Sequence, residues 1–545
     1  MDRTRFRPSN DFWIRLAACF LLVWTPYFLF SSFRDHPIPA GALVYSVAVF
    51  AVPALGFTLV AGGNRGIRHA LVFAFLVSLF LDLQTTWFDG VLAAGCALVV
   101  ACLCWLLREH LALILICVLG AMLAGTVLIP SNEQYVETRS VEGGAPRGAR
   151  VGAQVGADPP TGTLVHIILD EFAGLGGIPE DIAGGQVLRK EIAEFFRSYG
   201  FELRANAISQ YVSTKVSISS MLNFEAGETP EKNYRGKRPF ILTSNRYFET
   251  LHERGYSLSV YQSNYLDYCA EAPAPLARCL TYRYDGTNWL RSADLSDFQK
   301  MAVLLGMLLN HPGILETFWK SYVGLRLQAR QMGISLPVVM AWDGRVAPLA
   351  SSSAFGSVRD TVSLASPGTA HFIHLLLPHS PYVFDSSCGL RDKPLKWQSH
   401  HPLHRRGNSS AGRDQRYGLY FEQVRCTLRQ LGGLFDALKA EGNWDHAEII
   451  LHGDHGSRLY ETAPRAEARS ELTAGDLADG FSTLFASKTT RGPMVTDDSA
   501  GPVWRMLAET LGVNVGPGEQ DSPLQVYLEG REDDSWVTYP WPADP

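Results

Sequence analysis

Five long apolar runs fill the first quarter of the chain and constrain its fold more than any other feature. They cover residues 12–33, 41–61, 69–87, 90–107 and 110–129. An apolar run of about 20 residues can cross the hydrocarbon core of a bilayer as one helix. The sequence therefore predicts a membrane domain over residues 1–130 with five transmembrane helices.

The basic residues around these runs predict the orientation of the membrane domain, because loops rich in Lys and Arg stay in the cytoplasm. Basic residues precede or open the first run, separate the second from the third, and separate the fourth from the fifth: Arg3, Arg5, Arg7, Arg15, Arg65, Arg68 and Arg108. The other loops carry Arg34 alone or no basic residue. We therefore expect a cytoplasmic N-terminus and an extracytoplasmic chain beyond Pro130.

The remaining residues read as a linker followed by a soluble domain. Residues 131–160 are rich in Gly, Ala and Pro, which is typical of a linker. From Thr163 onward, short apolar runs typical of buried strands alternate with helical stretches. The runs include LVHIIL at 164–169, HFIHLLL at 371–377 and AEIILHG at 447–453, and one long helical stretch covers 419–442. This alternation predicts an α/β domain over 161–545, with helices on both faces of a mostly parallel sheet.

The charge of the chain excludes one class of partner. The net charge is −6 at pH 7, and the basic residues form no patch of the kind that binds a phosphate backbone. We therefore expect no nucleic-acid partner.

The nine cysteines divide between the apolar runs and the soluble part. Five lie in the runs, where a thiol is a small apolar group: Cys19, Cys96, Cys102, Cys104 and Cys117. The other four can form two disulfides in an oxidising compartment. Of the three connectivities, Cys269–Cys279 with Cys388–Cys426 closes the shortest loops and is preferred, and free buried thiols are the alternative.

Polar side chains follow three of the predicted buried strands. The chain places Asp170 and Glu171 after LVHIIL, His374 and His379 around FIHLLLPH, and Asp454 and His455 after IILHG. Ligands of open α/β sheets collect beyond the carboxyl ends of the strands. Each group alone has another reading, as a helix cap, a core histidine or a turn, but their coincidence favours a site. Oxygen ligands with one imidazole suit Zn²⁺ or Mn²⁺.

The segment 206–224 carries many hydroxyl groups and supplies a candidate nucleophile. We expect a helix from about Thr214, with Ser213 at its N-cap. The N-terminus of a helix offers free amides and a positive dipole end, which suit a phosphate or a sulfate. A hydroxyl bound there to a divalent cation would be nucleophilic at neutral pH. The alternative is a capping serine cluster without chemistry.

Four motifs, LVHIILDE, YVSTKVSISSM, HLLLPHSPY and GDHG, occur in this order and resemble the alkaline-phosphatase and sulfatase superfamily. The chain is more closely similar to the membrane-embedded branch of that superfamily, the lipid A phosphoethanolamine transferases and the lipoteichoic acid synthases. The resemblance covers nearly the whole chain as architecture, but only these motifs at the level of residues. It implies five spans followed by an extracytoplasmic sulfatase-like domain.

The resemblance also implies a set of metal ligands. Thr214 matches the nucleophile, because it opens the pattern T-x-x-S-x-x-x-M that Ser217 and Met221 complete. Glu171 matches the acidic ligand after the first strand, and the adjacent Asp170 is the alternative. The remaining ligands of one divalent cation are then Asp454 and His455.

Four further residues match positions around the substrate. His374 and His379 resemble the histidines that contact the phosphoryl group or the leaving group. Ser217 and Arg458 are candidates for substrate binding, and an ordinary surface arginine is the alternative for Arg458.

Two departures from the family narrow the chemistry. No histidine follows His455, so the histidine that phosphoethanolamine transferases use near a second metal has no counterpart. This favours the one-metal arrangement of lipoteichoic acid synthases. The signature C/S-x-P-x-R is absent, which disfavours a sulfatase that matures a formylglycine.

The resemblance implies transfer of a phospholipid headgroup, of phosphoethanolamine or phosphoglycerol type, to a cell-envelope glycan or lipid through a phospho-threonine. Water as acceptor would make the same site a phosphodiesterase. The alternative from another class is a lipid or lipopolysaccharide sensor with weak or lost catalysis. The family implies a multi-pass protein of the bacterial inner membrane with a periplasmic domain.

Overall fold

The structure is a computed structural model that divides into two compact units. It describes residues 10–33, 40–62, 66–84, 90–128, 137–139, 162–236, 239–284, 289–309, a few positions between 321 and 334, 346–394, 397, 408–490, 500–514, 524–531 and 535–542. The first unit comprises Met1–Gln134, Gly286–Arg345 and Asp392–Lys396, and the second comprises Tyr135–Asp285, Val346–Arg391 and Trp397–Pro545.

The helices of the described part occur in both units. In chain order they are α1 Asn10–Phe33, α2 Ala40–Ala61, α3 Ile67–Gln84, α4 Gly90–Leu106, α5 Leu111–Leu128, α6 Gly185–Ser198, α7 Thr214–Asn223, α8 Arg246–Glu253, α9 Trp289–Ser292, α10 Asp297–Leu309, α11 Ala347–Ser363, α12 Ser410–Ala440, α13 Ala474–Phe481 and α14 Val503–Leu511.

The five apolar runs of the first unit all form helices, α1 to α5. Two segments, Asn10–Ser31 and Gly41–Ala61, are each long and apolar enough to cross a membrane. Gly95–Leu106 and Leu111–Thr126 meet the same criteria only as a pair, bent by 117°. The described residues therefore support two spans, or three if the bent pair is one span, and the predicted five spans are not confirmed.

The second unit is built on a mixed sheet that is mostly parallel. The strands are β1 Glu137–Arg139, β2 Thr163–Leu169, β3 Glu202–Leu203, β4 Ala207–Ile208, β5 Tyr234–Arg235, β6 Phe240–Leu242, β7 Ser257–Ser263, β8 Leu266–Asp267, β9 Leu276–Tyr282, β10 Thr369–Leu375, β11 Ala447–Gly453, β12 Phe485–Lys488, β13 Gly501–Pro502, β14 Gln525–Glu529 and β15 Trp536–Pro540. The large sheet has the order β1-β9-β7-β10-β2-β11-β12-β3. Its five central strands, β9 to β11 in that order, are parallel.

The register of the central strands aligns their carboxyl ends. Leu169, the last residue of β2, pairs with Leu375 on β10 and with Gly453 on β11. The residues that follow these strands therefore meet at one edge of the sheet.

Helices cover the sheet in two layers. On one face, α7, α8 and α14 share a buried apolar cluster with Ile168, Phe372 and Ile450. Side chains alternate across a strand, so Val165 and Ile167 point to the other face. Helix α11 packs against β9 and β10, and α12 packs against α6 and α11. The α/β architecture with a mostly parallel sheet is therefore as predicted.

Some boundaries differ from the sequence-based expectations. The predicted linker contributes β1, which pairs antiparallel with β9, and its residues 131–136 and 140–160 lie outside the described part. The helix predicted over 419–442 begins already at Ser410, because the Ser409 side chain caps it by accepting from the Gly412 amide. Residues 289–309 belong to the unit of the apolar helices rather than to that of the sheet. The boundaries at 130 and 160 stay predictions.

Both preferred disulfides are present. One joins Cys269 to Cys279, and the other joins Cys388, in the loop after β10, to Cys426 on α12. The second disulfide ties the loop that follows His379 to the longest helix of the unit. The cysteines of the apolar helices are free.

Candidate metal centre and nucleophile

The candidate site lies where three neighbouring strands end. Asp170 and Glu171 follow β2, while Asp454 and His455 follow the adjacent β11. All four side chains are buried. Residues 283 positions apart in the chain are thereby brought into hydrogen-bonding distance.

The two carboxylate oxygens of Asp454 have different surroundings. Oδ1 accepts from the backbone amides of Glu171 and His455 at 3.0 and 2.9 Å. Oδ2 has no hydrogen-bond partner among the described residues and lies 3.1 Å from His455 Nε2. One oxygen therefore fixes the side chain, and the other is presented to the site.

The His455 ring is oriented by the backbone. Its Nδ1 lies 3.0 Å from the carbonyl oxygen of Gly456, a contact that requires the proton at Nδ1. Nε2 then carries a lone pair, and it lies 3.2 Å from Thr214 Oγ1 and 3.7 Å from Asp170 Oδ1. Burial lowers the pKa of His455 well below its usual value, so the ring is neutral at neutral pH.

The two glycines around this pair permit close contacts of the backbone. A β-carbon at Gly453 would lie 2.5 Å from the Phe172 carbonyl oxygen, and one at Gly456 would lie 2.4 Å from that of Asp479. Any larger residue would force these segments apart, which explains the glycines on either side of Asp454 and His455.

Thr214 is the first residue of α7, and its helix is fastened to the end of β11. Ser217 Oγ donates to the carbonyl oxygen of Asp454 and lies 2.9 Å from Ser209 Oγ. The Ser217 hydroxyl is therefore engaged inside the protein, where it positions Thr214 against Asp454. The predicted role of Ser217 in substrate binding stays a prediction.

Three side chains form a group that fits a divalent cation. The ligand atoms of Asp170, Asp454 and His455 all lie within 4.8 Å of one another. Asp170 Oδ1, like Asp454 Oδ2, is buried and has no hydrogen-bond partner among the described residues. Two such carboxylate oxygens beside an imidazole lone pair are costly without a cation. Two oxygens and one nitrogen suit Zn²⁺ or Mn²⁺, and Thr214 Oγ1 is placed to be a fourth ligand.

Electrostatics agree with this fit. Burial raises the pKa of Asp454 to about 7. Burial also raises the pKa of Asp170 well above its usual range, and the nearby negative charges of Asp454 and Glu171 add to that effect. A cation would offset this repulsion and keep both carboxylates ionised.

Glu171 is engaged with other partners. Its Oε1 accepts from Arg458 Nε at 2.9 Å and from Arg458 Nη2, and its Oε2 accepts from the Ser380 amide at 3.1 Å. Its backbone has φ of +64°, and the Tyr420 hydroxyl holds its carbonyl oxygen at 2.8 Å. Of the two adjacent carboxylates, Asp170 therefore offers the open oxygen beside Asp454 and His455.

Two histidines, His374 near the end of β10 and His379 in the loop after it, lie near this centre in different environments. His374 is fully buried, with Nδ1 3.0 Å from the Tyr268 hydroxyl and no partner for Nε2 among the described residues. Burial lowers the pKa of His374 to about 3, so its ring stays neutral. His379 Nε2 lies 3.2 Å from Arg458 Nη2 and 3.6 Å from Glu171 Oε1. Its side chain is 11% exposed and that of Arg458 is 18% exposed, so both are mostly buried but keep some contact with solvent.

The turn that carries Arg458 is held by a buried cluster that sequence reasoning missed. The Arg458 amide donates to the Asp479 carbonyl oxygen at 2.8 Å. The Asp479 carboxylate accepts from Arg413 Nε at 2.9 Å and from the Tyr417 hydroxyl. Tyr417 in turn contacts Ser457 at 2.9 Å. Arg413, Tyr417 and Asp479 belong to helices, away from any strand end, and no motif marks them.

Comparisons with known proteins find likeness only at the level of structure. No family profile matches the chain. No curated protein matches it either.

Solved structures similar to the chain include enzymes and domains from several bacteria. The C-terminal periplasmic domain of EcEptC from Escherichia coli, in complex with Zn, is 10% identical, with 70% of this chain and 93% of that chain covered and a TM-score of 0.40. The putative sulfatase yidJ from Bacteroides fragilis is 13% identical, covering 69% and 83%, with a TM-score of 0.37. The lipoteichoic acid synthase LtaP from Listeria monocytogenes is 13% identical, covering 70% and 86%, with a TM-score of 0.33.

At these identities and TM-scores, the activity has to be inferred from the side chains of the site. The chain is similar to these solved structures in fold, and the superfamily that its ordered motifs resemble stays a prediction.

Proposed function

We propose that the protein is a metal-dependent transferase that moves a phospholipid headgroup, of phosphoethanolamine or phosphoglycerol type, to a cell-envelope glycan or lipid. The observation that carries this proposal is the position of Thr214 Oγ1. It lies 3.2 Å from His455 Nε2, beside two buried carboxylate oxygens that lack hydrogen-bond partners among the described residues. This position suits a nucleophilic hydroxyl. A residue that only caps a helix would not need a histidine lone pair and carboxylate oxygens beside its hydroxyl.

Asp170, Asp454 and His455 would hold one divalent cation, with Thr214 Oγ1 beside it, and Zn²⁺ or Mn²⁺ suits this set. When bound, the cation would supply Lewis acidity that lowers the pKa of the Thr214 hydroxyl. Glu171 is assigned to holding Arg458, because both of its carboxylate oxygens have partners.

In the first half of the reaction, Thr214 Oγ1 releases its proton to solvent and forms a bond to the phosphorus of the lipid headgroup. The bond from phosphorus to the diacylglycerol oxygen breaks, and His379, in its doubly protonated form, donates its Nε2 proton to that oxygen. The product is a phospho-threonine. Arg458 is partly exposed, and its guanidinium would hold a phosphoryl oxygen.

In the second half, His379 Nε2 removes the proton from an acceptor hydroxyl. The acceptor oxygen bonds to phosphorus, and the bond to Thr214 Oγ1 breaks, which restores both residues. His374 is assigned a separate role. When the Tyr268 hydroxyl donates to its Nδ1, the neutral ring carries its proton at Nε2 and can hydrogen-bond a phosphoryl oxygen.

A membrane location suits a lipid donor, and the apolar helices α1 and α2 support attachment to a bilayer. We place the protein in the bacterial inner membrane with the α/β unit on the periplasmic side. Its partners are then a membrane phospholipid as donor and an envelope glycan or lipid as acceptor. The two disulfides of the α/β unit agree with an oxidising compartment.

A sensor without catalysis explains the site less well. Binding a lipid does not require a threonine hydroxyl beside a histidine lone pair and two open carboxylates. Keeping that pair of carboxylates buried has an energetic cost, which a bound cation offsets and a merely structural role does not.

The test uses the full-length protein in detergent, incubated with mixed phospholipids and no acceptor. Metal content and intact mass are measured for the wild type, for Thr214→Ala, and for Ser213→Ala as the matched control one residue away. We expect the wild type and Ser213→Ala to bind one divalent cation per chain and to show a mass increase. We expect no mass increase for Thr214→Ala. The size of the increase names the headgroup. Absence of both cation and adduct would contradict the transferase and favour the sensor.

A further inference from the structure

One helix of the first unit comes from a part of the chain far from the apolar runs. Helix α10, Asp297–Leu309, lies between β9 and β10 in the chain, yet it belongs to the unit of α1 to α5. Within that unit, α10 packs against α1 and α2. These two helices contain the segments Asn10–Ser31 and Gly41–Ala61, each long and apolar enough to cross a membrane. A helix packed against both lies at the level of the membrane that they would cross.

The first turn of α10 lies beside the start of α2. A β-carbon at Gly41 would clash with the Asp297 carboxylate, and the rings of Tyr45 and Phe298 meet edge to face with centroids 5.5 Å apart. Both Gly41 and Tyr45 belong to the first two turns of α2. With the predicted cytoplasmic N-terminus, α2 begins on the extracytoplasmic side. The first turn of α10 is then at the outer surface of the bilayer.

The composition of α10 changes sharply after its first turn. The polar side chains are confined to Asp297, Gln299 and Lys300, and the rest of the helix, MAVLLGMLL, is apolar throughout. A helix of 13 residues is about 20 Å long, whereas the hydrocarbon core of a bilayer is about 30 Å thick. Helix α10 is therefore too short to cross the bilayer, and its length suits a segment that enters one leaflet.

The open face of α10 is apolar as well. Phe298 is 48% exposed and Leu305 is partly exposed, while Met301–Leu304 are buried. Phe298 and Leu305 are about two turns apart and so lie on the same face of the helix. An open face in contact with water would carry polar residues. Three further large apolar side chains of this unit, at described positions between 321 and 334, are more than half exposed: Leu325, Met332 and Ile334.

We propose that α10 enters the outer leaflet of the bilayer as a half-span beside α1 and α2, with its open face against lipid acyl chains. Phe298 is then near the surface, and Leu305 lies among the acyl chains. The α/β unit is thereby attached to the bilayer at two places in the chain, before β2 and between β9 and β10. This inference does not depend on the transferase, since a sensor with the same chain would have the same attachment.

The first test uses the full-length wild type in phosphatidylcholine vesicles that contain a lipid with a diazirine at the middle of one acyl chain. After irradiation, the labelled residues are located by mass spectrometry of peptides. We expect label on α10 beyond Lys300, with Leu305 as the main position, at a level of the same order as on α2. Helix α8, Arg246–Glu253, belongs to the α/β unit and should carry no label. Label on α2 without label on α10 would overturn the proposal.

The second test measures depth with spin labels on the full-length protein, after the five free cysteines are changed to Ala. The labelled variants are Phe298→Cys and Leu305→Cys, with Val52→Cys as an exposed reference in the middle of α2 and His252→Cys as an exposed reference on α8. Collision with oxygen and with a water-soluble nickel chelate gives the depth of each label. We expect Leu305→Cys to lie deeper than Phe298→Cys by up to about 10 Å, from the rise of 1.5 Å per residue.

The depths decide between insertion and two other arrangements. Equal, shallow depths at Phe298→Cys and Leu305→Cys would show a helix lying on the membrane surface and would overturn the half-span. Access of the nickel chelate to Leu305→Cys as free as to His252→Cys would overturn any contact with lipid. If the variant without free cysteines does not fold, the labelling of the wild type decides. None of these outcomes bears on the cation or the adduct by which the transferase is tested.

Discussion

The backbone amide of Glu171 donates to Asp454 Oδ1 over 3.0 Å and joins the ends of two neighbouring parallel strands. The same oxygen also accepts from the His455 amide, so the position of Oδ2, the other oxygen of Asp454, is fixed. The orientation of this carboxylate is thus set by backbone groups, before any cation arrives. Preorganised ligands of this kind favour binding, since little side-chain freedom is lost.

The change Asp454→Asn removes a ligand charge with little change of volume. At a free cation concentration of about 100 times Kd, the wild type should gain about 2.7 kcal/mol of stability, and the variant almost none. Without cation the variant should be at least as stable as the wild type, because a buried carboxylate is lost. Thermal unfolding with and without Zn²⁺ measures both effects. A variant that keeps the full cation-induced gain would exclude Asp454 as a ligand.

Ser217→Ala tests whether this hydroxyl positions the site. It should cost about 1–3 kcal/mol in unfolding free energy, because the Asp454 carbonyl loses its donor. Cation affinity should fall by about 10-fold or more, as for the loss of an outer partner of a ligand. The matched control is Ser219→Ala, two residues away on α7, where the hydroxyl donates to the Val216 carbonyl within the same helix. Equal effects of the two changes on cation affinity would contradict the assignment.

His379→Asn should reveal its role in protonating the leaving group. With an alkyl phosphodiester, whose leaving oxygen needs a proton, we expect kcat to fall by about 10²- to 10⁴-fold. With a nitrophenyl phosphodiester, whose leaving group departs as an anion, the loss should be small. The ratio of the two rates is the measurement. A similar loss with both substrates would indicate that His379 binds the phosphoryl group instead.

Acid should destabilise the α/β unit through His371. Burial, together with repulsion by Arg278, lowers the pKa of His371 to about 4, below the usual 6.5. Between these values the unfolded chain binds a proton that the folded protein does not, so stability is lost as pH falls. The contribution is up to about 1.4 kcal/mol per pH unit.

The check compares urea unfolding between pH 7 and pH 4 for the wild type and His371→Phe, which keeps the ring stacked on Tyr261. The variant should show a pH slope smaller by about one proton. His252→Phe, at an exposed position, is the control and should keep the wild-type slope. A slope unchanged in His371→Phe would show that His371 does not titrate with folding.

Much of the site could be predicted from strand ends alone. Apolar runs that stop at Asp170 and at Asp454 mark the carboxyl ends of buried strands, and parallel strands put such ends at one edge. The sequence could not choose between Asp170 and Glu171, because the choice depends on backbone geometry. Glu171 has a positive φ, and its side chain pairs with Arg458. No local sequence pattern predicts either feature.

Other features were hidden because they depend on tertiary contacts. Motif spacing gave the position of Ser217 but not the partner of its hydroxyl. Arg413 and Asp479 lie 66 residues apart on two helices, so nothing in the sequence connects them. The apolar runs were correctly read as helices, but composition does not show that α4 and α5 meet at a bend of 117°.

The strand order β10-β2-β11 has a further consequence for how the site forms. Strand β2 is synthesised early, but its neighbour β11 follows more than 250 residues later in the chain. Pairings of such high contact order form slowly, because a long loop must close first. A nascent chain that ends before residue 447 would carry Asp170 without Asp454 or His455 to share a cation. Binding of the proposed cation would therefore be a late event in the biogenesis of the protein, possible only after the central strands of the sheet have paired.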